Sequence, residues 1–140
     1  MRRFVRRFDL PVPSTESVTD ASLHLYGRTA AIRFDYLLDG KPRRSALLFR
    51  MVAATQSRSE RCCTSTHIKS FDALIEIVDS KWVKTQREEI SEMYRAEFAA
   101  RHYAIYFDSV GSFELLAESF EVMPEEAGSW ADTSKTLTPS

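Results

Sequence analysis

Three histidines, two cysteines and a few carboxylates carry whatever side-chain chemistry this chain has. His24, His67 and His102 are far apart, and each falls in a run whose pattern predicts a strand. On a strand, Cys63 and His67 share a face, but four residues of extended chain put about 13 Å between them, too far for one metal ion. The sequence contains no Cys-x-x-Cys or His-x-x-x-His spacing, the patterns from which zinc sites are commonly built. Glu114 and Glu118 meet the same obstacle: about 13 Å apart on one strand face, they are further separated than the paired carboxylates of glycosidases. Glu114 is expected opposite Ile105 in a hairpin, without a partner. No catalytic residue, metal or cofactor is assigned from spacing.

Cys62 and Cys63 are adjacent, and neighbouring side chains on a strand point to opposite faces. They are expected to be reduced and mostly buried thiols, since two cysteines make no disulfide framework and free cysteine is commonly buried. Only four glycines occur, at positions 27, 40, 111 and 128. That scatter excludes a glycine-rich phosphate loop, and no Gly-x-Ser-x-Gly elbow is present.

The elements that must position these residues read as follows. Leu23 and Leu25 alternate with polar positions over residues 22–26, a half-buried strand. Asp39-Gly40 separates two runs rich in branched and aromatic residues, the cue for a type I′ hairpin. With those two residues as the loop, Leu38 faces Lys41, Phe34 faces Ser45, Ile32 faces Leu47 and Ala30 faces Phe49. Asp35 then lies opposite Arg44 as a cross-strand charge pair. Arg61–Ile68 reads as a fourth strand. Phe71, Leu74, Ile75 and Val78 follow helical spacing behind Ser70, and Thr85-Gln86-Arg87-Glu88 has capping-box spacing for a second helix that buries Ile90, Met93, Tyr94 and Phe98. Residues 102–107 and 113–118 form another hairpin around Asp108–Gly111. The expected fold is α+β: an antiparallel sheet in the order β-β-β-β-α-α-β-β, with two helices packed on one face. Its domain spans residues 20–123, behind a basic arm (1–19) and ahead of a flexible polar tail (124–140) in which Trp130 is an isolated aromatic.

The 140 residues have a net charge of −1, which hides a division. Residues 1–70 hold thirteen Lys/Arg against six Asp/Glu; residues 71–140 hold six against fourteen. Either the fold compensates this internally or one half is a docking surface. The preferred expectation is a non-enzymatic protein that binds another protein, as an inhibitor, immunity-type or regulatory partner, through Asp72, Glu76, Asp79, Glu88, Glu89 and Glu92. An alternative is a nucleic-acid-associated regulator that uses Arg2, Arg3, Arg6, Arg7, Arg33, Arg44 and Arg50, with Arg28, Arg58 and Arg61 adding to a phosphate-binding face and Phe4 and Phe8 stacking bases. A third is a small-molecule-binding or enzymatic domain around the aromatic hairpin of Tyr103, Tyr106, Phe107 and Phe113. That reading requires a concave pocket in which His24, His67 or His102 approaches a carboxylate or a cysteine. No apolar run approaches spanning length, and the arginine-rich start leads into Asp9-Leu10-Pro11 rather than an apolar signal core. A cytoplasmic location is expected, and a homodimer is compatible with exposed strand edges.

Overall fold

A computed structural model of the chain describes residues 3–133. Its strands are β1 (Arg3–Asp9), β2 (Ser22–Tyr26), β3 (Thr29–Leu38), β4 (Lys41–Arg50), β5 (Ala54–Ser59), β6 (Ala73–Val78), β7 (Arg101–Phe107), β8 (Gly111–Ala117), β9 (Ser119–Val122) and β10 (Glu126–Ala127). Its helices are short: α1 (Ser65–Ile68), α2 (Lys81–Glu89), α3 (Glu92–Arg95) and α4 (Trp130–Thr133). The fold is α+β and its strand pairs are antiparallel, but there are two sheets rather than one. The first runs β1-β6-β7-β8-β5; the second runs β10-β4-β3-β2, with β9 also on β4. Inward-facing side chains of both sheets meet in one core, with Ile32, Phe34, Leu47 and Phe49 from the second and Leu74, Tyr103, Ile105 and Leu115 from the first. Among the described residues, no helix is long and apolar enough to cross a membrane.

The β3–β4 hairpin forms in the expected register, from Ala30 opposite Phe49 to Leu38 opposite Lys41. Asp39 and Gly40 have φ of 53° and 74°, as a type I′ turn requires. The charge pair across it does not form. Asp35 does lie opposite Arg44, but its side chain is buried, accepting from the Val18 and Thr19 amides at 2.8 Å each, from Thr19 Oγ1 at 2.5 Å and from the Trp130 amide at 3.2 Å. Arg44 is held instead by Glu126 at 3.1 Å.

Three other expectations are overturned. Residues 73–78 are a strand, not a helix. Apolar side chains fill both of its faces, Leu74 in the main core and Ile75 and Ile77 in a second cluster on the outer face, and such a run matches helical and extended spacing equally. Asp72 and Asp79 end it in the left-handed region, at φ of 58° and 61°. Residues 60–68 are not a strand but a 3-10 turn (Glu60–Cys62) followed by α1. The second helix starts at Lys81, with Ser80 Oγ accepting the Val83 amide at 3.1 Å, and it ends before Ile90. Met93 and Tyr94, expected inside, are 76% and 57% exposed on α3.

Within the described residues, the segments read as an arm and a tail also contribute strands, while residues 1–2 and 134–140 of those segments lie outside the described residues. The N-terminal arm supplies β1, an edge strand paired with β6. A register shift between Arg6 and Phe8 lets Phe4 lie on the outer face near Ile77 and Phe8 pack 6.4 Å from Phe34 in the core. In the expected tail, β10 pairs with β4, and Trp130 is half-buried, its indole N–H reaching the Phe34 and Ser45 carbonyls at 3.0 and 2.9 Å.

Candidate functional site

The β7–β8 turn decides where Glu114 points. Phe107 pairs with Gly111, so the loop is Asp108–Val110, three residues rather than four. Gly111 has φ of 122°, and a Cβ there would run into the Arg58 carbonyl oxygen of β5. This register sets Glu114 opposite Ala104 rather than Ile105. Glu114 therefore joins His102 on the outer face of the first sheet, because residues two apart on a strand share a face. Gln56 of β5 lies directly beside Glu114, and Ile77 of β6 beside His102.

Around that face a hydrogen-bonded chain assembles. His102 Nε2 lies 2.8 Å from Glu114 Oε1, and His102 Nδ1 lies 2.7 Å from Ser80 Oγ. The other carboxylate oxygen, Oε2, faces His67 Nε2 at 3.5 Å. His67 comes from α1, where its Nδ1 accepts the backbone N–H of Thr64 at 2.8 Å and lies 3.0 Å from Thr64 Oγ1. Here a histidine fills the place that glutamate or glutamine takes in a capping box. Trp82, in the first turn of α2, presents its ring edge-on to His102 at 5.1 Å. The side chains of His102, Glu114 and His67 are only 5%, 10% and 11% exposed.

Burial alone would raise the Glu114 carboxyl, but the His102 hydrogen bond and the charges of His102, His67 and Arg58 hold it below the ordinary glutamate value. The group is thus a carboxylate, and a carboxylate only accepts. His102 Nε2 must then carry a proton; in the neutral ring Nδ1 accepts from the Ser80 hydroxyl, whose oxygen also caps α2. In His67 the opposite ring nitrogen fixes the tautomer. Its Nδ1 receives the Thr64 N–H, so the neutral ring carries its proton on Nε2, facing Glu114 Oε2. Two imidazole N–H groups point at one carboxylate.

Beside this array opens a cavity of about 320 Å³, floored by Ile75, Ile77 and Ala104 and walled by His67, Glu114, Trp82, Gln56 and Arg58. With its amide oxygen turned to Arg58, Gln56 accepts from Arg58 Nε and Nη2 at 3.1 and 2.9 Å. The cavity wall therefore offers a guanidinium, an imidazole N–H and a carboxylate oxygen that lacks a short bond to His67. The order Ser80–His102–Glu114 has the connectivity of a nucleophilic triad. However, Ser80 is buried, its oxygen caps α2, and it is not on the cavity wall. Its role is to position the His102 ring. Among the described residues no group of three His, Cys, Asp or Glu is placed to hold a metal ion.

The residues singled out by charge are distributed otherwise. Asp72, Glu76 and Asp79 do not share a helix face. Asp72 Oδ1 accepts from the Ser14 amide and hydroxyl. Glu76 binds Arg7 at 2.7 Å and lies 3.6 Å from Arg101, and Asp79 lies 3.4 Å from Arg3. Arg6 pairs with Asp9 at 2.9 Å, and Arg50 bonds Glu121 at 2.5 Å. Arg33 and Arg44 flank the Trp130 ring, with guanidinium carbons 4.7 and 5.3 Å from its centre. The pairing of β1 with β6 thus brings arginines of the basic half onto carboxylates of the acidic half. Arg2 lies outside the described residues. Glu88, Glu89 and Glu92 are exposed at the end of α2 and the start of α3.

His24 stays away from the cavity, its Nε2 2.7 Å from Ser22 Oγ. Cys62 and Cys63 are free but not buried as expected: in and just after the 3-10 turn rather than on a strand, Cys62 is exposed and Cys63 half-buried, with Cys63 Sγ 3.5 Å from the Ser59 carbonyl. Ser80, Trp82 and Gln56 went unrecognised in the sequence; Thr64 with His67 at capping distance was the one local signal that would have placed His67 on a helix. Comparison of the chain with protein-family profiles, with curated proteins and with solved structures finds no significant match.

Proposed function

We propose that this protein binds a small polar molecule in the cavity beside His67, Glu114 and His102. The observation that carries this reading is a buried carboxylate with one oxygen committed to His102 and the other 3.5 Å from His67 Nε2, at the cavity wall. A concave pocket with a few convergent polar groups is the usual form of a small-molecule site. The donors and acceptor specify its ligand: a group that accepts from His67 Nε2 or Arg58, next to a group that donates to Glu114 Oε2. Because both imidazoles direct N–H groups at the carboxylate, the site is arranged to recognise a ligand and, where chemistry follows, to donate a proton rather than to abstract one. Native mass spectrometry of the protein mixed with the low-mass fraction of a cell lysate tests this. The expected result is a saturable small-molecule adduct that is lost in Glu114→Gln and weakened in His67→Gln. Absence of any adduct, or an adduct that both variants retain, overturns it.

A second reading keeps the expectation of a protein partner, on one observation: exposed Met93 and Tyr94 sit beside exposed Glu88, Glu89 and Glu92. Apolar side chains beside a cluster of carboxylates, with Arg87 and Arg95 as the neighbouring cations, suit docking to a largely basic protein surface. Reversing the three glutamates to lysine is expected to abolish association with such a partner; unchanged association removes this surface from consideration.

A further inference from the structure

The second sheet carries its own cavity, on the face turned away from the core. It has a volume of about 500 Å³ and runs between Tyr26 of β2 and Trp130, over a floor that includes Ala46 and Leu48 of β4. Arg33 and Arg44 line it. These two arginines are not equivalent. Arg44 is neutralised by Glu126, whereas Arg33 donates to the neutral Tyr26 hydroxyl at 2.8 Å and has no carboxylate partner among the described residues. Its guanidinium lies over the Trp130 ring, an arrangement that leaves edge N–H groups free to engage a planar anion in a bidentate manner. The uncompensated charge is felt nearby: burial first, and then the Arg33 charge, holds the His24 imidazole below its ordinary value.

We propose that this groove binds a small amphipathic carboxylate, its acid group on the Arg33 guanidinium and its apolar body along Ala46 and Leu48 between Tyr26 and Trp130. Charge selects the anion, since a half-buried cation without a carboxylate gains most from one. The floor selects the apolar body, because burying it removes apolar surface of both partners from water. The site lies on a different sheet from the His67–Glu114–His102 array and stands or falls independently of it.

The two tryptophans make the test direct, since Trp82 belongs to one cavity and Trp130 to the other. In Trp82→Phe, emission reports Trp130 alone. Titration with octanoate and with 4-phenylbutyrate is expected to give a saturable change in that emission, with octanol bound at least about tenfold more weakly than octanoate. Arg33→Gln is expected to weaken octanoate at least about tenfold, and Ala46→Met, which fills the floor while keeping the charge, to weaken both acids. No saturable change at millimolar acid, or octanol bound as well as octanoate, overturns the proposal. The octanoate–octanol comparison needs no variant of the groove, so it decides the matter even where Arg33→Gln fails to fold.

Discussion

His102 Nε2 and Glu114 Oε1 meet at 2.8 Å across the β7–β8 pair, inside the sheet's outer layer and almost out of reach of water. A buried carboxylate is costly unless it is hydrogen-bonded, and here it is answered from two elements, a strand on one side and a one-turn helix on the other. The consequences of that contact can be measured separately from any ligand.

The first concerns pH. Because the folded-state Glu114 carboxyl lies below its ordinary value of 4.5, its contribution to stability is complete above that value. It is lost as pH falls through the lowered folded value. Urea unfolding across an acid pH series is expected to show wild-type stability falling below about pH 4.5 more steeply than that of Glu114→Gln. Parallel curves would contradict the assignment. At neutral pH, Glu114→Ala should cost about 2–4 kcal/mol, because it leaves a buried donor without its acceptor.

Gly111 is the second point of control. Its φ of 122° and the closeness of the Arg58 carbonyl leave no room for a side chain. Gly111→Ala is expected to destabilise the fold by about 2–4 kcal/mol. It should also disturb the Ser59–Gly111 end of the β5–β8 pair before the rest of the sheet, read by amide hydrogen exchange. Protection there equal to wild type would show that the turn tolerates a side chain and that the register of Glu114 is set elsewhere.

Asp35 gives a third. One buried carboxylate gathers the Val18–Thr19 segment and the start of α4 onto the back of β3. Asp35→Ala should cost about 2–4 kcal/mol, since hydrogen bonds to a charged group are the strong ones. In a Trp82→Phe background it should also shift Trp130 emission toward the red as the indole reaches water. Unchanged emission would mean that Trp130 is held in place without Asp35, the cation–π contacts and the indole N–H bonds being sufficient partners.

How far the sequence foretold this can be traced to particular residues. The β3–β4 register was legible because turn chemistry at Asp39-Gly40 and an apolar face agreed. The strand at 73–78 was not, because Ile75 and Ile77 are buried on one face and Leu74 on the other, and a run buried on both sides loses its period. The site stayed hidden for a smaller reason. One residue in the length of the Asp108–Val110 loop decides whether Glu114 lies opposite Ile105 or Ala104, and only the second places it with His102. Nothing local could bring His67 to the same carboxylate, since that contact joins elements 47 residues apart. The charge division was visible, but not its resolution: Arg7 with Glu76 and Arg3 with Asp79 bridge the two halves through a strand pairing between the N-terminal arm and a segment read as helix.

Which nitrogens of His67 and His102 carry protons decides what the cavity offers a ligand, and long-range proton–nitrogen correlation spectra of the histidine rings at neutral pH measure that directly. Both His67 and His102 are expected to be protonated at Nε2, with His67 Nδ1 showing the shift of an acceptor nitrogen bonded to the Thr64 amide. A His67 ring protonated at Nδ1 alone would turn a bare Nε2 lone pair toward Glu114 and the cavity. That outcome would contradict the donor–carboxylate–donor arrangement on which the proposed ligand site depends.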